Sequence, residues 1–400
     1  MDKKYVYMDY AATTFTKPEV LEEMMPYFTE NFANPSSKFY SISGKPRMAI
    51  DKARERVAKA INAEKDEIYF VAGGSEGDNW ALKGIAFANK NKGNHIITTG
   101  IEHHAITHTC EFLKKQGFEV TYLPVDEEGI IRLEDLKNAI KDTTILVSIM
   151  FANNEVGAIQ PIKEIGKICK ERNIYFHTDA VQAVAHVPID VKEMNIDMLS
   201  MAGHKFYGPK GIGAFYIKKG VKIENLIHGG GQERGRRAST ENVPGIVGIG
   251  KAIELAVSEL DEERKRVSYL RDKLINGLTE RIPHVKLNGP RGDKRLPGNV
   301  NMSFVGVEGE TLLLDLDFEG ICASTGSACA SGSLDPSHVL LAMGLTHGIA
   351  HGSLRLTLGA NSTEEEVEYV LDILPQIIKR RREMSPYWEE YLNSLKEGEK

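Results

Sequence analysis

A lysine and an acid, each placed at the end of a short apolar run, are the residues of this chain best suited to covalent chemistry. Lys205 follows the run at 198–201 and precedes a turn rich in glycine and proline, which predicts a loop at a strand end. An amine held among apolar and aromatic neighbours loses solvation, so its pKa falls and it can form a Schiff base with an aldehyde. Asp179 ends a second apolar run, at 174–179. For Lys205 taken alone, a surface lysine beside a tight turn is the alternative interpretation.

The combination of this lysine and this acid matches the needs of one cofactor. Pyridoxal phosphate is held through a lysine Schiff base, and an acid pairs with its pyridine nitrogen. Lys205 and Asp179 therefore predict a pyridoxal-phosphate site.

Two other loops follow predicted strands and could contact such a cofactor. Residues 71–79 carry two glycines and then open a helix, with Ser75 predicted as the cap, so a phosphate could bind there; turn geometry alone is the alternative. His103 could stack on a planar ring, or it could cap a helix. His104 and His108 have the spacing of zinc ligands, but the sequence offers no third ligand, so we predict no metal site.

Polar residues in two later loops favour contacts with oxygen atoms or anions. Asn153 and Asn154 suit a phenolic oxygen or a carboxylate, although consecutive amides suit turns equally well. Residues 228–242 combine glycines with arginines, which favours an anion, with an exposed loop as the equal alternative.

Cys329 differs from the other cysteines in its surroundings. It stands in a run of small residues at 323–333 that offers little apolar material to bury a thiol, so thiolate chemistry is its natural use. Cys110 and Cys169 fall in predicted helices and Cys322 in a predicted strand. Because no CxxC pair occurs, we predict neither a disulfide framework nor a zinc site.

Alternating strands and helices must position these residues. We predict strands at 67–71, 95–99, 119–123, 144–150, 174–179, 198–201 and 213–217, with amphipathic helices between most of them. This order predicts a mostly parallel, seven-stranded sheet covered by helices, with ligands bound beyond the carboxyl ends of the strands. One long helical pattern from 244 to 278 looks like a connector to a smaller α+β domain. We expect a large domain at 15–260 and a small one formed by 1–14 and 261–400.

Composition restricts the class of protein. The net charge of −6 argues against general nucleic-acid binding, which needs a basic face. No apolar run approaches the length of a membrane span, and the amino terminus lacks the apolar core of a signal peptide, so we expect a cytoplasmic protein.

Ordered motifs along nearly the whole chain give it a resemblance to a known family. The chain resembles the NifS/IscS-type cysteine desulfurases, which are pyridoxal-phosphate enzymes of fold type I, the aspartate-aminotransferase type. The matching motifs are Met8-Asp9-Tyr10-Ala11-Ala12-Thr13-Thr14, Asn153-Asn154-Glu155-Val156-Gly157, His177-Thr178-Asp179-Ala180-Val181-Gln182, Gly203-His204-Lys205, His228-Gly229-Gly230-Gly231 and Gly326-Ser327-Ala328-Cys329.

The resemblance implies a role for each site residue. Lys205 would carry the cofactor, Asp179 would pair with its pyridine nitrogen, and His103 would stack on the ring. Cys329 would be the nucleophile that accepts sulfur from L-cysteine as a persulfide while alanine leaves, and a transient contact with an iron–sulfur cluster is implied only through this residue. Gln182 and Asn154 would contact the phenolic oxygen of the cofactor, and Asn154 and Arg355 would bind the substrate carboxylate. The phosphate would be bound by Gly74, Ser75, Ala202, His204 and, from the other subunit of a homodimer, Thr240.

Two positions depart from the family pattern. Ala202 stands where relatives usually carry serine, which removes a hydroxyl from the phosphate site, and Gly77 stands where relatives have serine or alanine. We expect weaker retention of the cofactor, with activity preserved.

The resemblance leaves the physiological sulfur acceptor open, with an iron–sulfur scaffold protein as the first expectation. A selenocysteine lyase or another aminotransferase of the same fold is the alternative activity, and a scaffold that has lost chemistry is the non-enzymatic one. The long loop around Cys329 favours action on cysteine.

Overall fold

The computed structural model describes residues 5–325 and 336–398. Cys329 and its neighbours at 326–335 lie outside the described residues. The strands are β1 (Val6–Tyr7), β2 (Ile68–Val71), β3 (His95–Thr99), β4 (Glu119–Leu123), β5 (Thr144–Ser148), β6 (Tyr175–Asp179), β7 (Met198–Ala202), β8 (Gly213–Ile217), β9 (Val285–Leu287), β10 (Asn299–Phe304), β11 (Ile321–Cys322) and β12 (Ser353–Thr357).

Helices precede and follow most of these strands. They are α1 (Pro18–Met24), α2 (Pro26–Thr29), α3 (Gly44–Ala60), α4 (Gly74–Ala88), α5 (His104–Lys115), α6 (Leu133–Ala139), α7 (Ile162–Glu171), α8 (Gln232–Gly235), α9 (Val243–Ser258), α10 (Leu260–Arg281), α11 (Gly309–Phe318), α12 (His338–Ala342), α13 (His347–His351), α14 (Glu364–Glu383) and α15 (Pro386–Gly398).

The central sheet has seven strands in the order β2-β8-β7-β6-β5-β3-β4. Strand β8 runs antiparallel to both neighbours, and the other pairings are parallel. Every residue of β3, β5, β7 and β8 is buried, because helices cover both faces of the sheet. The predicted mostly parallel, seven-stranded sheet is confirmed.

The predicted single helix from 244 to 278 is wrong, because the chain forms two helices there. Helices α9 and α10 are separated at Glu259, and just before it the Ser258 hydroxyl donates to the carbonyl of Leu255 at 2.7 Å. Such a local bond competes with continuation of the helix. The apolar residues of α9 join the core beneath the central sheet, whereas those of α10 join a second core.

The second core lies in a smaller α+β unit. An antiparallel sheet in the order β12-β10-β9 packs with α10, α11 and α14, and Met8 belongs to the same core. Strand β1 pairs in parallel with β11, which brings the amino-terminal segment next to this unit. Among the described residues, no helix is both long and apolar enough to cross a membrane.

Candidate active site

Ten of the twelve predicted site residues line one cavity of about 240 Å³ at the carboxyl ends of the central strands. Strands β2, β3, β5, β6 and β7 all end at this edge, so the loops that follow them converge, as expected for a parallel sheet. The ten are Gly74, Ser75, His103, Asn154, Asp179, Gln182, Ala202, His204, Lys205 and Arg355.

Lys205 ends a one-turn 3-10 helix, Gly203–Lys205, that directly follows β7. Its Nζ donates to the carbonyl oxygens of Ala11 at 2.6 Å and Ala12 at 2.8 Å. Gln182 donates to the same Ala11 oxygen at 3.0 Å. The amino-terminal segment after β1 therefore fixes the direction in which the lysine amine points.

Asp179 is the last residue of β6 and is buried. The backbone amide of Val181 donates to its Oδ1 at 2.9 Å. Burial raises the pKa of Asp179, while the nearby His103, the Val181 amide and Lys205 act to lower it. These three groups favour the ionised carboxylate that a pyridinium partner requires.

His103 caps a helix, which is one of the two interpretations that its sequence context left open, and it also lies at the cavity. It is the N-cap of α5, where its Nδ1 accepts a hydrogen bond from the Ala105 amide at 3.1 Å, and its ring also lines the cavity. An accepting Nδ1 places the proton of the neutral ring on Nε2. The capping hydrogen bond thus determines which tautomer of His103 is present at the cavity.

The amino terminus of α4 also borders the cavity, but its cap is not the one predicted. Gly73 is the N-cap and Ser75 lies inside the first turn, so the prediction that Ser75 caps the helix is wrong. A β-carbon on Gly74 would lie 2.4 Å from Cγ2 of Val181, so the loop after Asp179 packs directly on this glycine. A glycine at position 74 is therefore needed for this close packing.

His204 adds a neutral ring beside this helix terminus. Its Nδ1 lies 3.0 Å from the Thr13 hydroxyl. Burial, together with the positive charges of Lys205 and Lys210, lowers the pKa of His204 to about 4. The side chain can hydrogen-bond to an anion here without adding a charge of its own.

Arg355, on β12, provides a guanidinium that lines the cavity, and only 2% of the residue is exposed. Its Nη2 donates to Asp9 Oδ1 at 2.9 Å and its Nη1 to the Asn154 carbonyl at 3.1 Å. Within the described part of the chain its Nε has no hydrogen-bond partner. A buried donor of this kind at a cavity wall suits a carboxylate ligand.

Comparison with known proteins assigns the chain that forms this cavity to a family. The model of the class-V aminotransferase family matches residues 6–370. A curated relative from Clostridium botulinum (strain Hall), named cysteine desulfurase IscS, is 71% identical over 98% of this chain and 99% of its own. A relative of the same name from Methanosarcina thermophila is 61% identical over 96% and 95%. The chain belongs to the cysteine desulfurases of the class-V aminotransferase family.

Solved structures agree with this desulfurase assignment. A NifS-like protein superposes with a TM-score of 0.88 at 41% identity, covering 94% of this chain and all of its own. A structure described as SspA in complex with cysteine has a TM-score of 0.79 at 38% identity, covering 89% and 99%. The fold-type prediction is confirmed, and membership of the desulfurase family implies a pyridoxal-phosphate cofactor.

Two predicted desulfurase residues remain, Thr240 and Cys329. Thr240 is exposed and lines a separate cavity of about 210 Å³ together with Ala72 and Arg237. Cys329 lies outside the described residues, but both flanks of its segment are placed: the backbone of Ser324 bonds with that of Arg355, and the Ser337 hydroxyl bonds to Glu155.

Sequence reasoning missed several groups that the fold brings to the desulfurase cavity. Asp78 lines it, the Ala11 and Ala12 carbonyls hold Lys205, and Asp9 pairs with Arg355. Asp9, Ala11 and Ala12 were noted only as part of a family motif. The carboxyl groups of Asp78 and Asp9 could have suggested a role at the site. The sequence does not show that role, because both residues are far along the chain from their partners.

Proposed function

We propose that this chain is a cysteine desulfurase that removes sulfur from L-cysteine, with pyridoxal phosphate bound in the cavity around Lys205. The observation that carries the proposal is the convergence of an amine, a buried carboxyl and a buried arginine in one cavity, namely Lys205, Asp179 and Arg355. These are the three kinds of group needed to hold an aldehyde cofactor, its ring nitrogen and an amino-acid carboxylate.

The residues present fit this cofactor at each of its ends. The first turn of α4, with Gly74 and Ser75, offers backbone amides and a partial positive charge to a phosphate, with neutral His204 beside it. Asp179 would hold the ring nitrogen, and His103 would pack against the ring. When bound, the cofactor supplies an electron sink that stabilises negative charge at the Cα of an amino acid.

The chain's own residues would bind cysteine and take its sulfur. Arg355 and Asn154 would bind the substrate carboxylate, and the Lys205 amine would accept and return a proton near Cα. The Cys329 thiolate would attack the substrate sulfur, so that a sulfur–sulfur bond forms as the carbon–sulfur bond breaks. The electron pair of the broken bond stays on the carbon fragment, which is protonated and leaves as alanine.

We also propose a two-fold homodimer in which Thr240 reaches the phosphate site of the partner. Two observations support this arrangement. Thr240 is exposed, and it lines a different cavity from the one around Lys205 of its own chain. The arrangement is also supported by a set of large apolar side chains left exposed between α2 and α3, including Phe32 at 70% and Phe39 at 96%.

We also propose a division of the chain into two domains and an acceptor for the sulfur. The proposed division into domains at 15–260 and at 1–14 with 261–400 is supported by two cores, one formed mainly by residues of the first range and the other by Met8 and residues of the second. A third buried cluster, which includes Met150 and Leu340, joins the two ranges. The acceptor that we propose for the persulfide sulfur is an iron–sulfur scaffold protein in the cytoplasm, on the family resemblance.

Product analysis with a matched cysteine control tests the desulfurase proposal. The purified chain with pyridoxal phosphate should release alanine from L-cysteine and carry a persulfide, and Cys329→Ala should lose both while it keeps the bound cofactor. Cys322→Ala, which removes a half-buried thiol from β11, should retain both. Turnover by Cys329→Ala, or a preference for selenocysteine or a 2-oxo acid in parallel incubations, would contradict the proposal.

A further inference from the structure

Asp78 places a second carboxyl at the base of the cavity, beside the one that the proposed function uses. It lies on α4, only 1% of the residue is exposed, and it lines the cavity. One carboxylate oxygen of Asp78, one of Asp179 and one ring nitrogen of His103 lie within 4.8 Å of one another. The two buried carboxyls are thus close enough for the charge of one to act strongly on the other.

Buried polar side chains on β5, β6 and β7 form a chain that leads to Asp78 on α4. The Ser148 hydroxyl lies 2.9 Å from Nδ1 of His177, and Nε2 of His177 lies 3.1 Å from the Ser200 hydroxyl. The Ser200 hydroxyl in turn acts on Asp78 as a hydrogen-bond donor, which lowers the pKa of that carboxyl against the effect of burial. A β-carbon on Gly77 would lie 2.7 Å from Oγ of Ser200, so the glycine leaves room for this hydroxyl.

The surroundings of the two carboxyl groups differ in charge and in hydrogen-bond donors. Asp179 has the Val181 amide as a donor and faces His103 and Lys205. Asp78 faces Asp179 and the buried Glu102, and its Oδ1 has no hydrogen-bond partner in the described residues.

The histidine nearest Asp78 cannot supply the missing positive charge. Nε2 of His177 lies 3.7 Å from Asp78 Oδ1, but burial lowers the pKa of His177 to about 3, so the ring is neutral. Burial and the charges of Asp179 and Glu102 therefore raise the pKa of Asp78, and the Ser200 hydroxyl is the group that acts to lower it.

We propose that Asp78 is held as a neutral carboxylic acid, which leaves the negative charge of the pair on Asp179. Two buried carboxyls this close do not both ionise, and the one with the poorer donors keeps the proton. Burial and the charge of Asp179 both raise the pKa of Asp78, in agreement. Asp78 is then a positioning residue: resting on the proposed function, it keeps Asp179 ionised for the cofactor nitrogen without touching the substrate.

Infrared difference spectroscopy on the holoenzyme tests the protonation state directly. With ¹³C-labelled aspartate, the wild type minus Asp78→Asn spectrum at pH 7 should show the carbonyl band of a protonated carboxyl. The control variant Asp142→Asn, which changes an exposed aspartate, should keep this band in its own spectrum, as the wild type does. If no such band distinguishes the wild type from Asp78→Asn, Asp78 is ionised and the proposal is wrong.

The pH dependence of the bound cofactor's absorbance gives a second, independent readout. Loss of an ionised Asp78 would shift its midpoint by about one pH unit or more, whereas loss of a neutral acid should shift it by much less. Desulfuration measured on the same samples separates the two proposals. A wild type that desulfurates but lacks the band overturns only the Asp78 proposal, and one that has the band but releases no alanine overturns only the function.

Discussion

Arg355 and Asp9 form an ion pair across 346 positions of the chain, with Nη2 of the arginine 2.9 Å from Oδ1 of the aspartate. The guanidinium is almost fully buried, and burial raises the pKa of Asp9 while Arg355 lowers it. A short segment at the amino terminus thereby holds the side chain to which we assign the substrate carboxylate.

Removal of the Asp9 carboxylate should weaken substrate binding more than it slows chemistry. In Asp9→Ala the buried guanidinium loses its counterion and its orientation, so we expect KM for cysteine to rise about tenfold, which corresponds to about 1.4 kcal/mol. Asp9→Asn keeps an accepting oxygen and should recover part of this loss. Steady-state kinetics provides the measurement, and a fall in kcat at unchanged KM would contradict the orienting role.

Mixing two inactive variants should restore activity if Thr240 serves the partner subunit. Lys205→Ala and Thr240→Ala chains that exchange subunits would form heterodimers with one site lacking both groups and one intact site. Each heterodimer should then have about half of the wild-type activity, because the symmetric interface completes the sites reciprocally. Exchange verified by mass spectrometry without recovery would mean that Thr240 acts in its own chain.

Replacement of Ala202 by serine should slow the loss of cofactor. A hydroxyl at this cavity position can donate to the phosphate, and a hydrogen bond to a charged group contributes about 1.5 kcal/mol or more. We expect roughly tenfold slower release, followed by the cofactor's absorbance during dialysis. Ala63→Ser, outside the cavity, should change nothing, and equal release from Ala202→Ser would show that the phosphate does not face this residue.

The buried Glu102 should make stability fall as pH rises. Burial raises its pKa from 4.5 to about 8, against the hydrogen bonds from the Met150 amide and Thr99. Because the folded state binds this proton more tightly, the stabilisation is complete below about pH 4.5 and is lost as pH rises through about 8.

Urea unfolding across this range isolates the contribution of Glu102. Glu102→Gln should lack it, so the pH slope of its unfolding free energy should differ from that of the wild type by up to about 1.4 kcal/mol per pH unit. The exposed Glu127→Gln is the matched control. Parallel pH profiles for Glu102→Gln and the wild type would show that Glu102 is ionised in the folded protein.

The strands of the central sheet were the most predictable part of this fold, and for all but the edge strand β4, where only Leu123 is buried, the reason is their burial. The runs at 95–99, 119–123 and 213–217 match β3, β4 and β8, and the other central strands differ by one or two residues at an end. Strands inside a covered sheet are short apolar runs bounded by polar loops, which the sequence displays directly.

The features that the sequence did not reveal depend on contacts between distant residues. The division between α9 and α10 separates two cores, and one continuous helical pattern cannot indicate to which core each half belongs. The close packing of Val181 on Gly74, at the start of α4, joins residues that are far apart in the chain. Likewise Asp78 becomes significant only where the sheet brings it to Asp179.

The amino-terminal segment has a practical consequence for recombinant work on this chain. Between β1 and Thr14 it supplies the acceptors for Lys205, the counterion of Arg355 and the hydroxyl that lies beside His204. A purification tag fused before β1, or a truncation intended to aid crystallisation, would act within a few residues of all three. Tags belong at the carboxyl end, beyond α15, and an amino-terminal fusion that lowers activity should be cleaved before any variant is judged.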